Sequence, residues 1–415
     1  MFENGKMKEN LKSSLQKLKL ALVVILAVLT LVFAVKGIMG TLSVGENWTL
    51  KGTERFTRLT TADEEGYDED STKCEVEYVG ADETLSMVVT YSFEEWEKLP
   101  EGNSVTAYLY ENGDGLVVPM PAESENNEIN KAARDALFNE NSSTFGIAMA
   151  CGLSAIGFFI MLVWNRFFST YEKIWFISVL VLASVFSLIF PEESCNGVNG
   201  MWIMALYLID TFLNILCELL ISKQSKWNFI VSLFVEITEI AICLVLAYRF
   251  ATMISTLFFW LPIDIISFIN WHKHPDRREE ELTKVRKLSG LAEVLIILGI
   301  IAWTAGVGYF LTTLDFGTDL FHGNETLEVI VCYLDACVSA VAICNGVFIF
   351  FRIREQWIAW FIDAILEAAI NIISGQYVLL ILKLGYLTNS TYGYIKWTKY
   401  IREHKEEAEQ DKKFF

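Results

Sequence analysis

The sequence predicts an all-α polytopic membrane protein with a small β-rich domain outside the lipid. Three observations set that expectation. The 415 residues are 53% hydrophobic and only 20% charged, with a mean hydropathy of +0.37, against about 25% charged residues in a soluble domain. The apolar residues gather in ten runs near the length of about 20 that crosses a bilayer. The acidic residues gather elsewhere: residues 40–143 hold 23 Asp and Glu against 7 Lys and Arg, so most of the net charge of −18 belongs to that stretch.

The same composition excludes several classes. A nucleic-acid partner needs a basic footprint, which a pI near 4.8 denies. Six of the eight cysteines (Cys151, Cys217, Cys243, Cys332, Cys337 and Cys344) sit in apolar runs and read as small buried hydrophobes. No CxxC pair is present, and His272, His274, His322 and His404 lack zinc-site spacing. No nucleophile–base pair or phosphate loop is visible either. The expectation is a non-enzyme with no cofactor and no metal.

Taken in order, the apolar runs cover 19–39, 144–165, 173–190, 201–222, 227–247, 251–271, 290–312, 327–350, 357–374 and 376–396. The first follows five lysines between Lys6 and Lys19, as a signal peptide would. Its core runs on to Gly40 without a small-residue cleavage site, so a retained anchor is expected. Basic connections mark the cytoplasmic side. They occur at Arg166/Lys173, Lys223/Lys226, 273–287, Arg352/Arg354 and Lys399/Arg402/Lys405, alternating with acidic or neutral turns; Arg249 is the one exception. Both termini are then cytoplasmic and 41–143 lies outside. Within that stretch, 74–79, 85–91 and 105–109 are β-prone, and Asn112-Gly113 and Asp114-Gly115 are hairpin-type turns. The acidic run 63–70 reads as a calcium-binding or a solvated loop, and the missing EF-hand spacing favours the second. Cys74 and Cys195 are the outer cysteines, and a disulfide between them is left open.

A repeat organises the second half. Ser225-Lys-Trp-Asn-Phe to Trp271-His-Lys273 parallels Glu355-Gln-Trp-Ile-Ala-Trp360 to Trp397-Thr-Lys399, and each is preceded by a span with an aspartate, Asp210 or Asp335. Two three-helix units of one orientation result, 201–271 and 327–397, joined by a linker helix at 290–312. Parallel repeats of this kind occur in transporters that hold substrate near the midplane. On the helix 357–374, Trp357, Trp360, Asp363, Glu367 and Asn371 share a stripe about 120° wide at 100° per residue. Buried ionisable residues in spans are functional candidates. Indoles suit a flat cationic ring, and carboxylates accept from hydroxyl groups. The remaining candidates are Glu236 and Glu239 on 227–247, Asp264 on 251–271, and Asn389 and Tyr392 on the last span. Trp357 and Trp397 also fit an interfacial anchor, and Glu236 and Glu239 also fit a pair with Lys383.

The W-x-x-W of Glu355–Trp360, together with Gly308-Tyr-Phe-Leu311, Glu280-Glu-Leu-Thr-Lys-Val-Arg-Lys-Leu288 and Tyr392-Gly-Tyr-Ile-Lys-Trp397, resembles the PnuC family of vitamin-precursor transporters over roughly 200–405. The resemblance implies a 3+1+3 core of SWEET-like architecture (199–405) in a bacterial inner membrane. Around it lie a cytoplasmic N-terminus and anchor (1–40), the acidic domain (41–143), two added helices (144–198) and a cytoplasmic tail (406–415). It also implies facilitated diffusion of nicotinamide riboside, trapping by intracellular phosphorylation, and a homotrimer. Two features depart from the family: Ser232-Leu-Phe-Val-Glu-Ile-Thr-Glu239 replaces its Asn, Gly and Tyr, and no Gln lies between Thr252 and Trp271. Carriers of thiamine, riboflavin or deoxynucleosides therefore stay open. So does a membrane sensor, which would not need midplane carboxylates.

Overall fold

The computed structural model describes residues 2–403 apart from 43–46, 61–64, 66, 68–73, 82–84, 191, 193–197, 224, 247–248, 274–287 and 315–324. Cys195, most of 63–70, the basic loop 274–287 and the tail fall outside the described residues. The chain divides into two compact units. One comprises Met1–Leu31, Gly146–Asp315 and Glu325–Phe415; the other comprises Val32–Phe145 and Phe316–Asn324.

The second unit holds a five-stranded antiparallel sheet in the order β3-β2-β1-β4-β5. Its strands are β1 (Trp48–Arg58), β2 (Cys74–Val79), β3 (Ser86–Tyr91), β4 (Ser104–Asn112) and β5 (Val117–Met120). The helices that close the two ends of the sheet are α2 (Phe93–Trp96) and α3 (Asn126–Glu140). Strand alternation puts Phe56, Val76, Tyr78, Met87 and Ala107 into one core with Trp96. Trp48, Tyr110 and Val118 pack against Ile129 and Ala133 of α3 in another. The β4–β5 turn closes on Asn112, whose Oδ1 accepts from Asp114 N at 3.0 Å and Leu116 N at 2.9 Å, with Gly115 at φ +83°. Strand β1 is a strand the sequence pattern did not expose. Its register shifts between Leu50 and Gly52, which breaks the alternation there.

The first unit is helical. After α1 (Phe2–Leu42), which both units share, come α4 (Ser142–Val163), α5 (Thr170–Ile189), α6 (Gly200–Ser222) and α7 (Asn228–Leu246). Next are α8 (Phe250–Ser255), a π segment (Thr256–Trp260) and α9 (Leu261–Lys273), then α10 (Gly290–Leu311), α11 (Glu325–Phe350), α12 (Gln356–Ile373) and α13 (Tyr377–Glu403). Caps fix several starts. Ser169 and Glu172 form a capping box on α5, and Asn199 Oδ1 accepts from Met201 N at 2.9 Å on α6.

Among the described residues nine helices are long and apolar enough to cross a membrane, and the chain is a mostly helical, multi-pass membrane protein. The tenth expected run is helical as well. As α13, however, it carries Lys383, Lys396 and the polar stretch Thr388–Thr391, so it falls short of the other nine in hydropathy. At about 1.5 Å per residue its 27 residues still reach across a bilayer.

The π segment has a local cause. Pro262 has no N–H to give the carbonyl four residues back, and its ring crowds that turn. The backbone widens just upstream, where Leu261 N donates to Thr256 O, five residues back.

Candidate functional site

Helices α6, α7, α9, α11, α12 and α13, with α8 and the π segment, line one cavity. Its wall contains Glu236, Glu239, Asp264, Trp360, Asp363 and Glu367, six of the ten residues expected from the sequence. Seven carboxylates line it in all, the others being Asp210 and Glu218, against two basic groups, Arg249 and Lys383. An excess of acid over base inside a membrane favours a positively charged occupant.

The two basic groups converge on Glu367. Arg249 Nη2 binds one of its oxygens and Lys383 Nζ the other. Arg249 occupies the left-handed region at φ +61° between α7 and α8, and its Nε lies 3.9 Å from Asp335 Oδ1. Asp335 in turn accepts from Ala251 N at 2.8 Å and Thr252 N at 3.3 Å, so it ties α11 to the start of α8. The Arg249 that stood outside the charge alternation is thus a buried ion-pair partner, 6% exposed, and not a marker of membrane side. Lys383 pairs with Glu367 and not with Glu236 or Glu239.

Four of the other carboxylates have neutral partners. Thr238 Oγ1 donates to Asp210 at 2.6 Å, Thr256 Oγ1 to Glu239 at 2.9 Å, Asn389 Nδ2 to Glu218 at 2.6 Å, and Ser232 Oγ to Glu236 at 3.2 Å.

The aromatic face of the cavity combines Trp260 from the π segment with Trp360, ring centroids 6.2 Å apart and planes 22° apart. Tyr386 meets Trp360 edge-on at 5.4 Å and donates to Asn214. With the Asn345 amide turned so that its oxygen accepts, Trp360 Nε1 donates to it at 3.0 Å, which leaves the ring face for stacking.

Four expected residues lie off the cavity wall. Trp357 is 1% exposed and packs edge-on against Trp397 at 5.6 Å, with its ring against Gly393. The two tryptophans of W-x-x-W therefore serve different surroundings, the first a helix contact and the second the cavity. Asn371 is buried one turn beyond Glu367 and does not line the wall. Asn389 stands behind Glu218. Tyr392 donates to Glu172 of α5 at 3.2 Å, in a separate cluster where Glu172 also pairs with Lys223 at 3.0 Å and Lys396 at 3.5 Å. For Trp357 and Asn371 the reason is geometric: a stripe about 120° wide on α12 spans more helix than one cavity can face, so its ends meet neighbouring helices.

In the second unit, Glu65 is the one described carboxylate of the run 63–70, and it is committed to the protein. Arg58 Nε donates to it at 2.7 Å and Thr60 Oγ1 at 2.6 Å, joined by Trp96 Nε1. Burial works against ionisation of Glu65, but the hydrogen bonds from Arg58, Thr60 and Trp96 outweigh it and hold its pKa below the usual carboxylate range.

Comparison with known proteins covers the same helices. Residues 204–399 match the family model described as nicotinamide mononucleotide transporter. The nicotinamide riboside transporter PnuC of Neisseria mucosa is 24% identical over 58% of this chain and 84% of its own length. That of Haemophilus influenzae is 23% identical over 56% and 91%. A crystal structure of the vitamin B3 transporter PnuC aligns over 57% of this chain and 94% of that one, at 24% identity and a TM-score of 0.44. The named relatives are transporters, in line with the expected non-enzyme. Residues 204–399, which build the cavity wall, are accordingly the part of the chain that is similar to this family of transporters.

Proposed function

We propose that the chain carries nicotinamide riboside across the membrane through this cavity. The observation that carries the reading is a near-parallel indole pair set in a buried, carboxylate-rich chamber. The substrate's pyridinium ring is flat and cationic, so it gains from indole faces and from acid nearby. Its ribose hydroxyls donate to carboxylates such as Asp363 and Glu239. Of the ten expected contacts, Trp360, Asp363, Glu367, Glu236, Glu239 and Asp264 belong to this reading, and Trp260 joins them.

The rest of the proposal rests on sequence pattern and family resemblance. Two parallel triplets, α6–α9 and α11–α13, rock about α10. Movement follows the substrate gradient, and intracellular phosphorylation removes the product. Basic connections place both termini in the cytoplasm of a bacterial inner membrane, with the acidic sheet unit outside. Three such chains assemble.

The test is counterflow in proteoliposomes preloaded with nicotinamide riboside, run beside thiamine, riboflavin and nucleosides. The reading expects labelled nicotinamide riboside to accumulate and W360A to reduce that accumulation. Failure of every compound, or a hit that W360A leaves intact, rejects the assigned site.

A further inference from the structure

Some carboxylate oxygens in the cavity have no protein atom to satisfy them. Glu236 and Asp264 line the wall at 4% and 2% exposure. The Ser232 hydroxyl donates to Glu236 Oε1 at 3.2 Å and neighbours Asp264 as well. Glu236 Oε2 and Asp264 Oδ2 have no hydrogen-bond partner among the described residues.

The basic groups of the cavity are directed elsewhere, since Arg249 and Lys383 both bind Glu367. The other titratable groups on the wall are Asp210, Cys217 and Glu218 from α6, Glu239 and Cys243 from α7, Asp363 from α12 and Tyr386 from α13. None of these supplies a positive charge. A buried carboxylate without a compensating charge is costly.

We propose that Glu236 and Asp264, with Ser232 beside them, form a binding site for a monovalent cation, a sodium ion or a proton, in the same cavity as the indole pair. Oxygen donors of this kind suit a hard cation, and either source supplies the one positive charge that the pair lacks. The inference stands on the cavity alone and does not need the substrate assignment.

The test uses purified full-length protein in detergent, free of substrate. The melting midpoint is followed as sodium chloride replaces N-methyl-glucamine chloride at constant ionic strength, and separately as pH is varied without sodium. A sodium site raises the wild-type midpoint by about 2–4 °C, and E236Q and D264N lose that rise. A proton site leaves sodium without effect and gives the wild type a pH-dependent midpoint that both variants flatten. S232A keeps both carboxylates and retains a weakened response, which covers an amide variant that fails to fold. If neither arm separates the wild type from E236Q, D264N and S232A, the site is rejected. Nicotinamide riboside counterflow remains a separate readout, so its loss bears on transport alone.

Discussion

Trp260 stacks on Trp360 with planes 22° apart, although the two rings come from segments a hundred residues apart. The pair joins a π-helical turn to the first turn of α12 and forms the aromatic wall of the cavity. A cationic ring on an indole face gains about 0.5–2 kcal/mol. W360A is therefore expected to weaken nicotinamide riboside binding by roughly 2- to 30-fold, and W260A by a similar factor. Isothermal titration in detergent measures both, and equal affinity in wild type and variants would separate the indoles from the ligand.

The ion pairs at Glu367 make a different prediction. E367Q leaves Arg249 and Lys383 buried with their shared anion removed, which costs about 3–5 kcal/mol. A steep fall in the thermal midpoint of the purified protein is expected. E367Q with R249M and K383M together removes the stranded charges and is expected to recover much of the loss. A triple variant no more stable than E367Q alone would show that the residues do not act as a unit.

Gly393 lies where α13 passes Trp357. A Cβ there would come within 2.5 Å of the indole ring, and neither the ring nor the helix backbone gives way easily. G393A is expected to destabilise by about 1–3 kcal/mol through overpacking. W357A opens a cavity at a cost of about 3–5 kcal/mol. Neither residue lines the chamber, so both variants are expected to bind ligand with wild-type affinity where they fold. A binding defect in stable G393A protein would contradict that placement.

Glu65 predicts acid sensitivity in the sheet unit. Its carboxyl is held below the ordinary range by Arg58, Thr60 and Trp96, while in the unfolded chain it titrates near about 4.3. The stability it contributes is fully present above that unfolded value and is lost as pH falls through the lower folded value. Tryptophan emission from Trp96 should therefore shift at acid pH in the full-length protein, and E65Q should remove that transition. An unchanged acid profile in E65Q would assign the shift to other groups.

The spans were largely legible in the sequence because twenty apolar residues in a row have few alternatives to a membrane helix. The stripe on α12 was legible for the same reason that it folds inward: polar groups on one helical face seek one another. Long-range partners were not. Nothing in the local pattern brings Arg249 to Glu367, 118 positions away, and a basic residue in a connection reads as a topology signal until its partner is known. Trp260 was missed because residues 256–260 depart from 3.6 residues per turn, so angles counted along that helix go out of phase. Pro262 inside a span was the available signal. Strand β1 was hidden by its bulge at Leu50–Gly52, which interrupts the two-residue period.

The widened turn at Thr256–Trp260 behaves as one surplus residue accommodated within a continuous span. Deleting a single position there would return the segment to ordinary pitch while the turns on either side keep their facing. A residue added or removed elsewhere in the span, with no wide turn to absorb it, would instead rotate everything downstream through about 100°. The wide turn thus lets the span carry one residue more than regular pitch allows and still present both Trp260 and Asp264 to the same chamber.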